Sequence, residues 1–471
     1  MSDQVNQQWV SGLIQEYGEP VFKNGSSISP NDAYWAGLYA EENRILWEPK
    51  EKRFYEYSRE NGLWKIVSEE SLQTAIAKRL LNASRDNQDF RALERHRSSH
   101  RLRAIVTQLK GQTEKPDAFA NAPRVIHVAN GVLVPDEHGR CELKSFSPDF
   151  YSRNQCPIKY DPYATCQRFL SELLRPPLVD KYDERVVQKY FGLCLLGHNP
   201  IQRMLILEGA SGSGKGTLVK VAAGLAGEWN VVEMRTKHLE ERFEIARYIG
   251  RTILSGSDVP SDFLSNRSAS RLKALVGGDL LDAEIKGGRD PVRIKGEFPI
   301  LITSNTSLHV CLQGDEDAFR RRLLIVKFRE SEAKKIPDFE KVLLEEEGPG
   351  ILNWVLEGLR LLYKDIEETG NVVLTGGQQG RIDQLLSESL SLKEFVAEVV
   401  VLEPGSKLAT DEIIEGYQSF CSGHGYKPKP SREVQTSLPD LLGRIHSISQ
   451  SHDIKRHGKV KRGYRGISLR Q

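Results

Sequence analysis

The chain has 471 residues, 66 Lys and Arg against 64 Asp and Glu, with 39% hydrophobic and 28% charged residues, as expected of a globular protein of about three domains. The near balance of charge excludes a global field able to hold nucleic acid, so any such affinity must come from local patches. Cys141, Cys156, Cys166, Cys194, Cys311 and Cys421 form no CxxC pair, no apolar run approaches the roughly twenty residues needed to cross a bilayer, and the N-terminus lacks a signal-peptide layout. These features argue against a zinc module, a disulfide framework or a membrane anchor and predict a reduced, cytoplasmic protein.

Up to about residue 80 aromatic and charged residues mix. Arg53 to Tyr57 followed by Asn61 and Gly62 reads as a hairpin into Leu63 to Val67. Leu72, Ile76 and Leu80 share one face of a helix predicted over 71–82. Residues 91–103 carry Arg91, Arg95, Arg97, Arg101, Arg103, His96 and His100 and read as one basic helix, a pattern that a solvated face also explains. Asn130-Gly marks a second hairpin, 166–174 and 186–196 read as helices, and Pro176-Pro177 breaks the chain between them.

Gly209, Ala210, Ser211, Gly212, Ser213, Gly214, Lys215, Gly216 and Thr217 follow the apolar run Met204 to Leu207 and precede a helix-forming segment. Glycines let backbone N–H groups converge where a helix begins, and Lys215 adds a point charge for the β- and γ-phosphates of a nucleoside triphosphate. This is a phosphate-binding P-loop in its proper context. Gly216 stands where such loops usually place the Mg²⁺-binding hydroxyl, and Thr217 comes one step later.

A strand predicted over 251–255, taken as the neighbour of the P-loop strand, runs out to Asp258, a candidate carboxylate for metal and water. A second apolar strand, Pro299 to Thr303, ends in Ser304 and Asn305, whose amide can meet both the attacking water and the γ-phosphate. Between them, residues 283–295 read as a hairpin with a basic tip at Lys286 and Arg289, suited to a nucleic-acid backbone. Arg320, Arg321 and Arg322 stand together before a strand predicted over 324–328. Folding alone seldom needs such a triplet, whereas an arginine offered to a neighbouring subunit's nucleotide stabilises transition-state charge.

Residues 372–380 read as a linker. Beyond it, helices predicted over 390–400, 411–421 and 433–445 lead into two strand-like pieces around 453–456 and 464–469, the outline of a winged helix. From Arg444 to the end Asp453 is the one acid against basic residues that include Lys459, Lys461, Arg462 and Arg465, which suits phosphate contacts.

The order of these elements resembles the superfamily 3 helicases, specifically the helicase part of phage and plasmid primase-helicases, relatives of the poxvirus primase-helicase. The likeness lies in the P-loop, Phe243 to Ser255 before Asp258, and Leu272 to Asp279. It continues through the basic hairpin, Thr303 to Asn305, and Phe319 to Leu323 with Val326 to Phe328. Upstream, Phe54 to Tyr57, Gly62 to Trp64, Asn130 to Leu133, Ser147 to Tyr151 and Tyr160 to Ala164 look like the accessory domain of that family, and Arg462 to Leu469 like its terminal wing. The resemblance implies an α/β fold: an AAA+-like P-loop ATPase core with an N-terminal α+β accessory domain and a C-terminal winged helix. The expected divisions are 1–165 accessory domain, 166–200 helical collar, 201–330 ATPase core, 331–385 lid and linker, and 386–471 winged helix.

It further implies an ATP- and Mg²⁺-dependent DNA helicase, hexameric, tracking along single-stranded or forked DNA in replication of a mobile element. Lys215 would hold phosphates, Asp258 with Thr217 the metal, and Asn305 would be the sensor. Arg321 or Arg322 would be the finger, and Lys286 and Arg289 the channel contacts. The first 200 residues show no acidic cluster of the kind primer synthesis needs, so a separately encoded primase is expected. Three rival classes remain. One is an adenylate-kinase-like phosphotransferase, disfavoured by the sensor strand and arginine triplet. Another is an ATP-switched initiator or DNA-binding ATPase that does not unwind. The third, a signalling or packaging ATPase, fits the basic wing less well.

Overall fold

The computed structural model describes residues 2–470 apart from 26, 262, 285, 287–290, 309, 312–315, 331–335, 427 and 457; the side chains of 2–7, 89, 265–268, 310–311, 316 and 389 are not described either. Contacts divide the chain into two compact units, Met1–Asp161 and Pro162–Gln471. Among the described residues no helix is long and apolar enough to cross a membrane.

The first unit alternates helices with small antiparallel sheets. Helix Asp32–Asn43 leads into the meander Ile45–Glu48, Arg53–Ser58 and Leu63–Val67, followed by helices Glu69–Asp86 and Ser99–Gln112 and a second three-stranded sheet from Ile126 to Lys144. Leu72, Ile76 and Leu80 pack with Leu102, Ile105 and Leu109, Trp35 and Phe54 in one core. The basic segment is not one helix. A 3-10 helix, Gln88–Arg95, stops before residues 96–98, and Ser98 Oγ accepts from Arg101 N at 3.4 Å to start a new α-helix. A capping serine ended the continuity that the run of arginines suggested.

The centre of the second unit is a five-stranded parallel sheet. Its order is Val231–Glu233, Ile253–Gly256, Ile300–Ser304, Met204–Gly209 and Leu323–Phe328. The strand leading to Asp258 therefore does not adjoin the glycine-loop strand, contrary to the sequence expectation. The Ile300–Ser304 strand lies between them, with Ile302 opposite both Gly256 and Ile206. Strand order depends on crossover packing, which no local pattern encodes.

One face of the sheet, with Met204, Ile206, Ile300, Ile302, Leu323 and Ile325, packs on Leu272, Leu275 and Val276 of helix Asn266–Gly277 and on Ile382, Leu385 and Leu386 of helix Gly376–Glu398. Helix Lys215–Ala226 meets the sheet and packs against helices Asp183–Leu196 and Phe339–Thr369. These two helices touch closely because they meet at glycines. A Cβ on Gly192 would lie 2.8 Å from Leu359 Cα, and one on Gly358 would lie 2.1 Å from the Gln188 carbonyl oxygen.

The predicted linker over 372–380 is largely helix. Thr375 Oγ1 accepts from Gln378 N at 3.3 Å while Gln378 Oε1 accepts from Thr375 N at 2.9 Å, a capping box that starts a helix through Gly376, Gly377 and Gly380 despite their poor propensity. The same Gln378 donates through Nε2 to the buried Asp183 Oδ1 at 3.0 Å, and Arg381 pairs with Asp183. Burial pushes the Asp183 carboxyl up, with Arg381 opposing.

The chain then runs strand Val400–Ala409, helices Thr410–His424 and Ser431–His446, and strands Gln450–Arg456 and Lys459–Leu469. The last strand lies in the middle of an antiparallel sheet of three. The first strand of this sheet escapes the sequence reading because Glu403-Pro-Gly-Ser406 reads as a turn, and a register shift between Leu402 and Lys407 absorbs it. Phe395, Ile413, Tyr417, Val434, Leu438, Leu442, Tyr464 and Ile467 form its core.

Candidate active site

The loop after the Met204–Gly209 strand turns sharply because Gly212 and Gly214 take φ of 81° and 87°, where a side chain would be strained. Gly209 is needed for a different reason: a Cβ there would lie 2.2 Å from the Phe328 carbonyl oxygen on the adjoining strand. Helix Lys215–Ala226 begins immediately, so its unpaired N–H groups and positive dipole end face the loop, an arrangement suited to phosphate.

Lys215 is 3% exposed. Its ammonium donates to the carbonyls of Gly209 and Ala210 at 2.7 and 2.8 Å, to Ser213 Oγ at 3.1 Å and to Asn305 Oδ1 at 3.3 Å. Burial holds its pKa below the usual lysine value, and the nearby Asp258 carboxylate partly restores it. The three residues singled out from three separate segments thus converge at the carboxyl ends of the parallel strands, where open α/β sheets place their ligands.

Asp258 sits in the left-handed region with φ of 45°, a conformation Asp tolerates better than most side chains. Thr303 holds it there: Asp258 N donates to Thr303 Oγ1 at 2.8 Å, and Val259 N to the Thr303 carbonyl at 2.9 Å. Thr303 is a site-building residue that the sequence reading quoted only as part of a motif. Glu208 was missed altogether. It accepts from Ser307 Oγ at 2.8 Å, tying the glycine-loop strand to the segment after Asn305. The visible signal was an acid at the end of an otherwise apolar strand.

Thr217 is half-buried in the first helical turn, and Gly216 is exposed with open space where a Cβ would stand. A hydroxyl at 217 and the exposed Asp258 carboxylate are oxygen donors of the kind magnesium takes. Ala210 and Ser211 complete the loop, Ser211 exposed.

The arginine triplet divides three ways. Arg320 pairs with Asp383 and lies 3.6 Å from Asp317. Arg322 is only 8% exposed and donates to the Ala318 carbonyl at 2.9 Å. Arg321 is exposed and, among the described residues, makes no side-chain hydrogen bond or ion pair.

Strands Leu280–Ala283 and Val292–Lys295 pair antiparallel, with Ala283 opposite Val292, so a hairpin carries Lys286 exposed at its turn. Arg289 lies outside the described residues. In the terminal sheet Lys459, Lys461, Arg462 and Arg465 are all exposed. Acids on neighbouring elements engage two of them: Lys461 pairs with Asp411 at 2.9 Å, and Arg465 with Asp453 at 2.5 Å. Counting acids only from 444 onward overstated the free charge, because Asp411 and Glu412 come from the helix packed beneath.

Residues 33–175 match a family model described as D5 N terminal like, and residues 207–322 match a family of unknown function, DUF5906. Among solved structures, the A form apo structure of the NrS-1 C-terminal region is 14% identical, covers 92% of this chain and 98% of that one, and superposes with a TM-score of 0.46. Another apo structure of that region is 12% identical, with 92% and 98% coverage and a TM-score of 0.44.

Proposed function

We propose that this chain is an ATP-driven DNA helicase of the phage and plasmid primase-helicase type, working as a ring during replication of a mobile element. The observation that carries the reading is the meeting of Lys215 with Asn305, with Asp258 close enough to Lys215 to raise its pKa, at one end of a parallel sheet. The D5 N terminal-like match over 33–175 supports the same family. In this reading 201–330 is an AAA+-like P-loop core and 386–471 a winged helix whose helix–strand–helix–helix–strand–strand order suits that role.

Lys215 leaves the Gly209 and Ala210 carbonyls for the β- and γ-phosphates of ATP, exchanging neutral acceptors for anionic ones. Asn305, already within reach of the lysine, holds the attacking water in line. Thr217 and Asp258 would hold magnesium, which neutralises charge on the phosphates. Arg321, exposed and uncommitted among the described residues, reaches a neighbouring copy's nucleotide and stabilises its transition state. Lys286 grips the backbone of single-stranded DNA, and Lys459 and Arg462 contact the fork.

The test is strand separation of a forked substrate by the Lys286→Ala protein. Retained ATP hydrolysis with loss of unwinding is expected. Unwinding at the wild-type rate would remove the hairpin from the mechanism, and absence of unwinding by the wild type would favour an ATP-switched initiator.

A further inference from the structure

The site above leaves the basic segment of the N-terminal unit unused. Over residues 91–103, five arginines (91, 95, 97, 101, 103) and two histidines (96, 100) face a single acid, Glu94. The apolar members of the segment point inward, Leu93 fully buried and Phe90 packed on the same core. Arg91, Arg95, Arg97, His100 and Arg103 are therefore left exposed around the break between the 3-10 helix and helix Ser99–Gln112.

Their partners do not account for them. Arg101 is paired with Asp32 at 3.0 Å, and Arg97 Nε donates to the Glu94 carbonyl at 2.9 Å, which leaves its charge uncompensated. Arg91, Arg95 and Arg103 have no carboxylate partner among the described residues; the nearest acids along the chain with described side chains are Asp86 and the exposed Glu94. Their placement is also unfavourable for folding. His100 and Arg101 occupy the first turn of an α-helix that holds no acid there, so they face the positive end of its dipole, and Arg103 adds a further cation in the next turn. Four like charges within thirteen residues repel one another. A polyanion that neutralises all four at once would relieve this repulsion.

We infer that the surface carrying Arg91, Arg95, Arg97 and Arg103 is a second DNA-binding site, on the N-terminal unit, that grips the phosphodiester backbone without reading sequence. It goes beyond the proposed motor: it requires neither nucleotide nor the Lys286 hairpin. Arginine suits this use because its planar fork meets phosphate oxygens in pairs. No Phe, Tyr or Trp is exposed within residues 91–103 to stack bases, so the contact is chiefly electrostatic and salt-sensitive.

The experiment uses the full chain carrying Lys286→Ala, without nucleotide, and follows anisotropy of a labelled oligo-dT and a labelled duplex as salt is raised. Replacing Arg91, Arg95, Arg97 and Arg103 together by Gln should lower the slope of log affinity against log salt by about 3, with most of the affinity at low salt lost, since each phosphate contact contributes roughly 0.7 to 0.9. Between about 50 and 200 mM salt the parent would then weaken about fifty-fold more than the variant. The four-Lys version keeps the charge and should restore the slope, which also separates charge loss from misfolding. An unchanged slope in the Gln protein overturns the inference, as does failure of the Lys protein to recover. Neither result bears on ATP hydrolysis, which is measured separately in the wild type.

Discussion

The Lys215 ammonium lies 3.3 Å from Asn305 Oδ1, though the two residues are ninety positions apart, Lys215 opening the helix after the Met204–Gly209 strand and Asn305 following the adjoining Ile300–Ser304 strand. The parallel pairing of Ser304 with Glu208 aligns the ends of those strands and makes the contact unavoidable. Lys215→Ala should therefore abolish ATP turnover with little loss of stability, because a cation whose burial already lowers its pKa is costly to the empty fold. Asn305→Ala should lower kcat by about 10²–10³, the range for removing one oriented polar group, with little change in nucleotide affinity. Turnover, nucleotide titration and melting temperature on each variant check this; equal losses of affinity in both would contradict it.

Arg321 and Arg322 are adjacent in sequence and opposite in environment. Truncating Arg321 removes nothing from the fold of its own subunit, so Arg321→Ala should keep the wild-type melting temperature while hydrolysis falls by about 10³-fold or more. Arg322→Ala should act mainly on stability, since it withdraws a buried group bonded to the Ala318 carbonyl. Mixing Lys215→Ala with Arg321→Ala subunits should restore some turnover, because a seam that takes its lysine from an Arg321→Ala subunit and its arginine from a Lys215→Ala subunit is intact. No recovery at any ratio would sink a shared site.

Much of this was legible in the sequence, for physical reasons that differ by residue. Gly212, Gly214 and Lys215 could be found because the loop needs positive φ at fixed spacing next to an apolar strand. The Ile300–Ser304 strand was visible as a fully buried run, but its place between two other strands was not, since register and order follow from long-range packing. The end of helix Gly376–Glu398 was read from sequence, but its first half was hidden by three early glycines, whose propensity the Thr375–Gln378 capping box overrides. Sequence adjacency made the arginines look equivalent; only burial separates them. The neutralisation of Lys461 by Asp411 was equally out of reach, as the two lie fifty residues apart.

The terminal sheet should respond to acid. Glu412 accepts from Arg456 Nε at 2.7 Å, which holds its carboxyl below the ordinary value of 4.5, aided by the Ala409 N–H and opposed by burial. A carboxyl depressed in the folded state adds stability that is fully present above its unfolded value and is lost as pH falls through the folded one. Denaturant unfolding of wild type and Glu412→Gln should thus differ at neutral pH and converge below about 4.5, the pair being partly exposed and its effect modest. A difference that persists unchanged in strong acid would assign the effect to something other than ionisation.

The crossing of helices Asp183–Leu196 and Phe339–Thr369 supplies the sharpest stability contrast. Gly358→Ala would drive a methyl to 2.1 Å from the Gln188 carbonyl, and Gly192→Ala one to 2.8 Å from the Leu359 backbone. Neither neighbour is the free end of a side chain, so the helices must separate, at about 1–3 kcal/mol each. Gly216 is also helical, yet a methyl there meets nothing within 4 Å. Gly216→Ala should be neutral or stabilising by up to about 1 kcal/mol from helix propensity alone. Gly216→Ser should fold equally well and add a hydroxyl beside Lys215, where it would show as tighter magnesium dependence of turnover. Urea midpoints for the four proteins decide the matter, and a Gly358→Ala protein as stable as wild type would mean the two helices are not packed backbone to backbone.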